Sequence, residues 1–313
     1  MKTTPLLFTA MLLAFVFGLV RGQYAQVGHW LYTNVTDLEA SLYGFEQDQI
    51  DIGEMSLALY KTPDAETKPT IVMLHGYSAD KDVWARFAKH FVDDYQVIIP
   101  DMAGHGDSPY QPQWDYSMPT QAKRLATLLD RLNIEQAHVI GNSMGGFLTA
   151  TFAIDYPQRV LSATMVDPAG VIPPQASDMM KMLEKGNNPF LIKNRAEFDD
   201  FYAMTMAQPP YLPDIVLEAI GQSYIDRHDQ LEKIFHDFHS SDYLEAKLNQ
   251  LTAPALLWWG DKDRLLHVSS VPVWQAGIKH LQTEIWPGIG HMPMVEKAAT
   301  AAEKYQDFLT SIE

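Results

Sequence analysis

Residues 139–146 read Val139-Ile140-Gly141-Asn142-Ser143-Met144-Gly145-Gly146, a serine with glycine two positions away on either side. Gly-x-Ser-x-Gly alone decides little, since chance yields it in roughly one chain of this size in ten at ordinary glycine and serine frequencies. Its setting decides more. Residues 137–140 are a short apolar run of the kind that forms a buried strand, and residues 145–156, stopped before Pro157, read as a helix. A strand that turns sharply into a helix strains the backbone at the turn and crowds its neighbours two places away, so both must be small. Gly141 and Gly145 supply that clearance. Such a turn lifts the Ser143 hydroxyl clear of the sheet. It also leaves the Met144 N–H at a helix N-terminus, where it can stabilise an oxyanion.

Outward from this turn, strand-like and helix-like patterns alternate. Residues 48–60 read as one or two early strands with a turn at Gly53, and 70–74 as a buried parallel strand. A helix is expected over 81–91, with Trp84, Phe87, Ala88 and Phe91 on one face, then a strand over 95–99. Ser117 opens a helix whose Met118, Ala122, Leu125, Leu129 and Leu132 step by four and three. Beyond the serine turn come a strand at 162–166, a strand at 255–259, a helix at 271–278, a strand at 283–286 and a closing helix at 296–309. This order predicts an α/β fold, a mostly parallel sheet flanked by helices. Residues 171–250 break the pattern, with Pro173-Pro174 and Pro209-Pro210, scattered Met and aromatic residues and no strand. They read as an inserted helical cap between core segments 23–170 and 251–313, over the carboxyl ends of the strands where ligands of open α/β sheets bind.

A serine hydroxyl needs a base, and His291 is the strongest candidate. It follows a strand in Gly288-Ile289-Gly290-His291-Met292-Pro293, in a loop able to reach the turn. His75, at a strand end, His105, in a Gly-His-Gly turn, and His138, at a strand start, read as structural. The acid that orients the base should come from a loop after another strand, as in Trp259-Gly260-Asp261-Lys262-Asp263. Asp263 is preferred because Asp261, beside glycine, suits a turn cap; Asp167, ending the 162–166 strand, is the rival. A second oxyanion donor is expected in Leu74-His75-Gly76-Tyr77, where Gly76 lets the chain turn and frees the Tyr77 N–H.

Composition narrows the partners. The 313 residues are 47% hydrophobic, enough to bury a large core, and 23 basic against 39 acidic residues give a net charge of −16. That charge opposes nucleic-acid binding and points to a neutral ligand. The absence of cysteine excludes disulfides, thiolate catalysis and thiolate metal sites. At the N-terminus, Lys2 precedes an uncharged, largely apolar run over 5–20, then Arg21-Gly22-Gln23. Residues 1–22 therefore read as a signal peptide cleaved after Gly22, or as a membrane anchor, which places the protein in an exported or membrane-tethered setting.

From about residue 54 to 309 the chain resembles the α/β-hydrolase superfamily. Within it, the chain looks like the monoacylglycerol lipases with an N-terminal membrane anchor and similar bacterial lipases. The carrying segments are Met73 to Trp84, Pro100-Asp101-Met102-Ala103-Gly104-His105-Gly106, Gly141 to Gly146, and Trp259 to Asp263 continuing to His267-Val268-Ser269. The order Ser143, Asp263, His291 is that of the α/β-hydrolase arrangement. The resemblance implies Asp263 as acid and a carboxylic ester of a glycerolipid as substrate, monoacylglycerol or a medium-chain acyl ester. Serine at 143, where haloalkane dehalogenases and epoxide hydrolases have aspartate, counts against both. Ser143, His291 and Asp263 with Tyr77 and Met144 need no cofactor and no metal. Two other readings stand beside the esterase: a carbon–carbon bond hydrolase of the same superfamily, and a non-catalytic binding protein on this scaffold.

Overall fold

A computed structural model describes residues 4–63 and 68–312, with side chains described from Gln23 onward. Eight strands form one sheet in the order β1-β2-β4-β3-β5-β6-β7-β8: β1 (Glu46–Asp51), β2 (Ser56–Lys61), β3 (Thr70–Leu74), β4 (Gln96–Pro100), β5 (Ala137–Asn142), β6 (Val160–Val166), β7 (Ala255–Gly260) and β8 (Gln282–Trp286). The β1–β2 and β2–β4 pairs are antiparallel, and every other pair is parallel. Strands β3 and β5 are buried along their whole length, which is why they read as continuous apolar runs. The edge strands β1 and β8 are instead largely exposed or half-buried and carry Glu46, Asp48, Asp51 and Glu284, charges that discourage edge pairing.

Alternation along the central strands sends residues to two cores. Val72, Leu74, Val139, Met165 and Leu257 meet the face covered by α3 (Met118–Arg131) and α4 (Met144–Asp155). Ile71, Met73, Ile140, Val166 and Trp258 meet the other, covered by α2 (Ala85–Ala88) and α11 (Ala298–Ile312), with Phe87, Phe91, Tyr305 and Trp286 in one aromatic cluster.

One expected helix comes out differently. Residues 81–91 form a 3₁₀ turn, Lys81–Trp84, followed by the single-turn α2. The Lys81 amide and ammonium both bond the buried Asp101 carboxylate, at 2.7 and 2.9 Å, which fixes where the segment starts. The closing helix forms as expected, α11, from Ala298 to Ile312, preceded by a single turn, α10 (Pro293–Glu296). Glu296 at the end of α10 accepts N–H bonds from Gly290 at 2.8 Å and Ala207 at 3.0 Å, so its carboxylate serves two loops.

Between β6 and β7 lie four helices, α5 (Asp178–Leu183), α6 (Arg195–Thr205), α7 (Asp214–Asp226) and α8 (His228–His239), with α9 (Val271–Gly277) following β7. Phe190, Phe235 and Phe238 of this helical segment pack on the Tyr77 ring with centroids 4.8 to 5.5 Å away.

Helix α1 (Thr4–Leu42) passes through Gly22 and Gln23 without a break. The targeting segment expected over 5–20 lies outside the residues whose side chains are described. Beyond it, α1 docks on α7, so closely at Gly28 that a Cβ there would stand 2.0 Å from the Ile215 carbonyl oxygen. Its outward face carries Val27, Trp30, Val35, Leu38 and Leu42, all exposed. Among the described residues, no helix is long and apolar enough to cross a membrane.

Candidate active site

The turn from β5 into α4 sets Ser143 at φ 59° and ψ −117°, a left-handed conformation that costs a non-glycine residue about 1–3 kcal/mol and clusters at functional positions. Its glycines are there for clearance. A Cβ on Gly141 would lie 2.1 Å from the Gly145 oxygen, and one on Gly145 would lie 2.3 Å from the Leu74 oxygen. Ser143 donates its amide to the Val166 carbonyl at 2.9 Å, which ties the turn to the neighbouring strand.

Gly76 sits against the serine, its would-be Cβ 3.1 Å from that of Ser143. Neither the Tyr77 nor the Met144 N–H has an acceptor among the described residues, so both donors expected from sequence are free in the turns beside Ser143. Tyr77 is held by its hydroxyl, which donates to the Leu231 carbonyl at 2.6 Å. His75, read from sequence as structural, has a more specific job. The Met102 amide donates to its Nε2 at 2.9 Å, so the ring proton is on Nδ1 and is donated to the Gly76 carbonyl at 2.8 Å. A trans peptide points its C=O and N–H oppositely, so anchoring the Gly76 carbonyl orients the Tyr77 N–H away from it. Burial pushes the His75 imidazole down to about 4, which keeps it neutral in this role. Its place before Gly76 was the available signal.

His291 and Asp263 come together from loops after β8 and β7. The imidazole Nδ1–H donates to Asp263 Oδ2 at 2.7 Å, and the ring and the carboxylate are both buried. Asp263 Oδ1 accepts the Leu265 and Leu266 amides at 2.8 and 3.0 Å, fixing the carboxylate. With its proton on Nδ1, His291 keeps a lone pair on Nε2, the tautomer a general base requires. Asn142, the residue before the serine, donates its side-chain amide to the His291 carbonyl at 2.9 Å and binds the histidine loop to the serine turn. Ser143 makes no hydrogen bond to His291 in this arrangement. Gly260 lets the acid and histidine loops meet: a Cβ there would fall 1.9 Å from the Gly290 oxygen.

The two other aspartates make different contacts. Asp261 accepts the Gly288 amide at 2.7 Å and faces Lys262, so it ties its loop to the one after β8 rather than capping its own turn as expected from sequence. Asp167 is fully buried behind Asp263 and does not reach His291 by a hydrogen bond. His105 donates from Nδ1 to the Ala103 carbonyl at 3.2 Å within its own turn.

His138 lies at the opposite end of the sheet and shares a hydrogen bond of 2.8 Å with Ser162, so this His–Ser contact is a cross-strand structural pair. Burial pushes its imidazole down to about 4, against about 6.5 in the unfolded chain. Between those values the unfolded state takes up a proton that the folded state refuses, so the contribution is fully present above pH 6.5 and is lost as pH falls toward 4. Urea unfolding of His138→Gln should therefore show a loss of stability between pH 7 and 4.5 smaller than that of the natural chain by on the order of 2 kcal/mol. Parallel pH profiles for the two proteins would contradict this.

A mostly parallel sheet whose central strand breaks into a strained serine turn, with a histidine–aspartate pair on adjoining loops, is the architecture of one class of hydrolase. The chain belongs to the α/β-hydrolase family: the profile described as alpha/beta hydrolase fold matches residues 69–213, and the relatives agree. Lipase 1 of Psychrobacter immobilis is 34% identical over 78% of this chain and 77% of that protein. A monoacylglycerol lipase of Xenopus laevis, abhd6-B, is 29% identical over 79% and 77%. A crystal structure of a membrane phospholipase A, described as a bacterial virulence factor, superposes with a TM-score of 0.88 at 33% identity, covering 98% of both chains. Within the family this chain is a lipase- and esterase-like member.

Proposed function

We propose that the protein hydrolyses carboxylic esters of lipids, monoacylglycerol or medium-chain acyl esters, by a two-step acyl transfer. Ser143 attacks the ester carbonyl while His291 takes its proton, and the Tyr77 and Met144 N–H groups receive the oxyanion. The alcohol leaves with the proton returned by His291, and water then hydrolyses the acyl-enzyme by the same route. Asp263 holds the imidazole and stabilises the imidazolium. The observation that carries this reading is the 2.7 Å His291–Asp263 contact in a loop bonded to Asn142, next to the strained Ser143.

The lipid substrate is supported by the names of the relatives and by the apolar surroundings of the oxyanion loop. Phe190, Phe201, Phe235 and Phe238 form a continuous aromatic wall with Tyr77. In this reading residues 171–250 act as a cap that sets acyl preference. Membrane association through the N-terminus belongs to the same proposal, with residues 5–20 as an export signal or anchor. The exposed apolar face of α1 supports it, since a row of Val, Trp and Leu side chains fits the membrane–water interface.

A series of p-nitrophenyl esters from acetate to palmitate, with monoacylglycerols and phospholipids beside them, tests the substrate. Turnover should rise from acetate to medium chains and extend to monoacylglycerol. Activity confined to acetate would refute the lipid assignment.

A further inference from the structure

Behind the His291–Asp263 pair lies a second carboxyl that the proposed reaction does not use. Asp167 follows β6, fully removed from solvent and held at φ 43°. Its amide donates to the Trp258 carbonyl at 2.9 Å, and its Oδ1 accepts the Gly260 amide at 2.8 Å. Its Oδ2 is buried and meets no donor among the described residues. A carboxylate oxygen of Asp167, one of Asp263 and a ring nitrogen of His291 all lie within 4.8 Å of one another.

This arrangement leaves few ways to place the charges. Asp263 already accepts from two backbone amides on Oδ1 and from the His291 Nδ1–H on Oδ2, a role that suits a carboxylate. An ionised Asp167 would then set a second negative charge beside it, away from water and with one oxygen unsatisfied, which is costly on both counts. As a neutral acid, Asp167 still accepts the Gly260 N–H on Oδ1, and its Oδ2 becomes a donor facing the Asp263 carboxylate. Burial first, and then the Asp263 charge, hold the Asp167 carboxyl well above the ordinary carboxylate range, with Glu296 of α10 acting in the same sense.

Resting on the reading of Ser143, His291 and Asp263 as the reacting group, we infer that Asp167 is a protonated positioning residue that donates its Oδ2–H to Asp263. The acid behind the histidine is then a carboxyl pair that shares one proton and one negative charge. The extra donor holds the Asp263 carboxylate through a third element, the end of β6. It also tempers the carboxylate's pull on the imidazolium that forms as Ser143 gives up its proton.

The test compares Asp167→Asn with Asp167→Ala in the full chain. Asparagine keeps an oxygen for the Gly260 N–H and an N–H for Asp263, whereas alanine removes both. Asp167→Asn should keep kcat and KM within about threefold and leave the acid limb of the kcat–pH profile in place. Asp167→Ala should lower kcat about tenfold at unchanged KM and move that limb up by about one pH unit. The infrared difference between the natural chain and Asp167→Asn at pH 7 should show the loss of one protonated-carboxyl C=O stretch, a readout that needs no turnover and no folded alanine variant.

Absence of that band, or an asparagine variant as damaged as the alanine one, overturns the inference. Fluorophosphonate labelling of Ser143 separates the two possible failures. A natural chain left unlabelled sinks the reading of the site and the role of Asp167 with it, whereas labelling without the infrared change sinks only the shared proton.

Discussion

Ser143→Ala should lower kcat/KM for p-nitrophenyl esters by on the order of 10⁴- to 10⁶-fold and abolish fluorophosphonate labelling, with the fold unchanged. The size follows from what the hydroxyl does in the proposed reaction. Without it no acyl-enzyme forms, and only the free amides of Tyr77 and Met144 and substrate binding remain to assist attack by water. The fold should survive because the Ser143 side chain caps no helix amide, and the backbone bonds to Val166 and Ala169 are indifferent to the substitution. Alanine keeps the Cβ, so the strain at φ 59° is retained and thermal stability should move little. Turnover at the natural rate in this variant would remove Ser143 from the mechanism. The non-catalytic reading of the scaffold makes the opposite prediction: the natural chain itself would neither turn over ester nor take the label.

The serine turn was legible because its demands are steric and local. Only glycine avoids the carbonyl oxygens that crowd positions 141 and 145, so the pattern appears in the residues themselves. The strands of the parallel sheet were legible for a similar reason, since burial on both faces writes an unbroken apolar run. The helix of residues 81–91 was misjudged because apolar spacing at three and four does not separate one continuous helix from a 3₁₀ turn followed by a single α turn. The continuation of α1 to Leu42 was missed too. Its buried side is decided by contact with α7, nearly 200 residues away, and Gly28 gives no sign on its own that a helix will cross there. The job of His75 depended on which ring nitrogen carries the proton, and that is set by the Met102 amide from another loop. Sequence thus carried what backbone clearance and burial period dictate, and lost what long-range hydrogen bonds decide.

The choice among three aspartates yields the second large effect. Asp263→Asn should lower kcat by on the order of 10⁴-fold with little change in KM, whereas Asp261→Asn should stay within about threefold of the natural chain. At 263 the amide keeps the shape and one acceptor oxygen. If that oxygen stays on the Leu265 and Leu266 amides, an NH₂ group faces His291 where a carboxylate oxygen stood. Two donors cannot pair, so the imidazole moves its proton to Nε2 to accept from the amide. It then has no lone pair to offer the serine, and the negative charge that stabilises the imidazolium is gone as well. Position 261 makes no such contact: its carboxylate accepts the Gly288 amide and faces Lys262, and asparagine can keep that bond with its oxygen. A kinetic comparison of the two variants, with chemical unfolding to show equal folding, therefore tests the orienting carboxylate itself. Equal losses at 261 and 263 would mean that the histidine takes its orientation from the loop as a whole, and the assignment of Asp263 as the acid would fail.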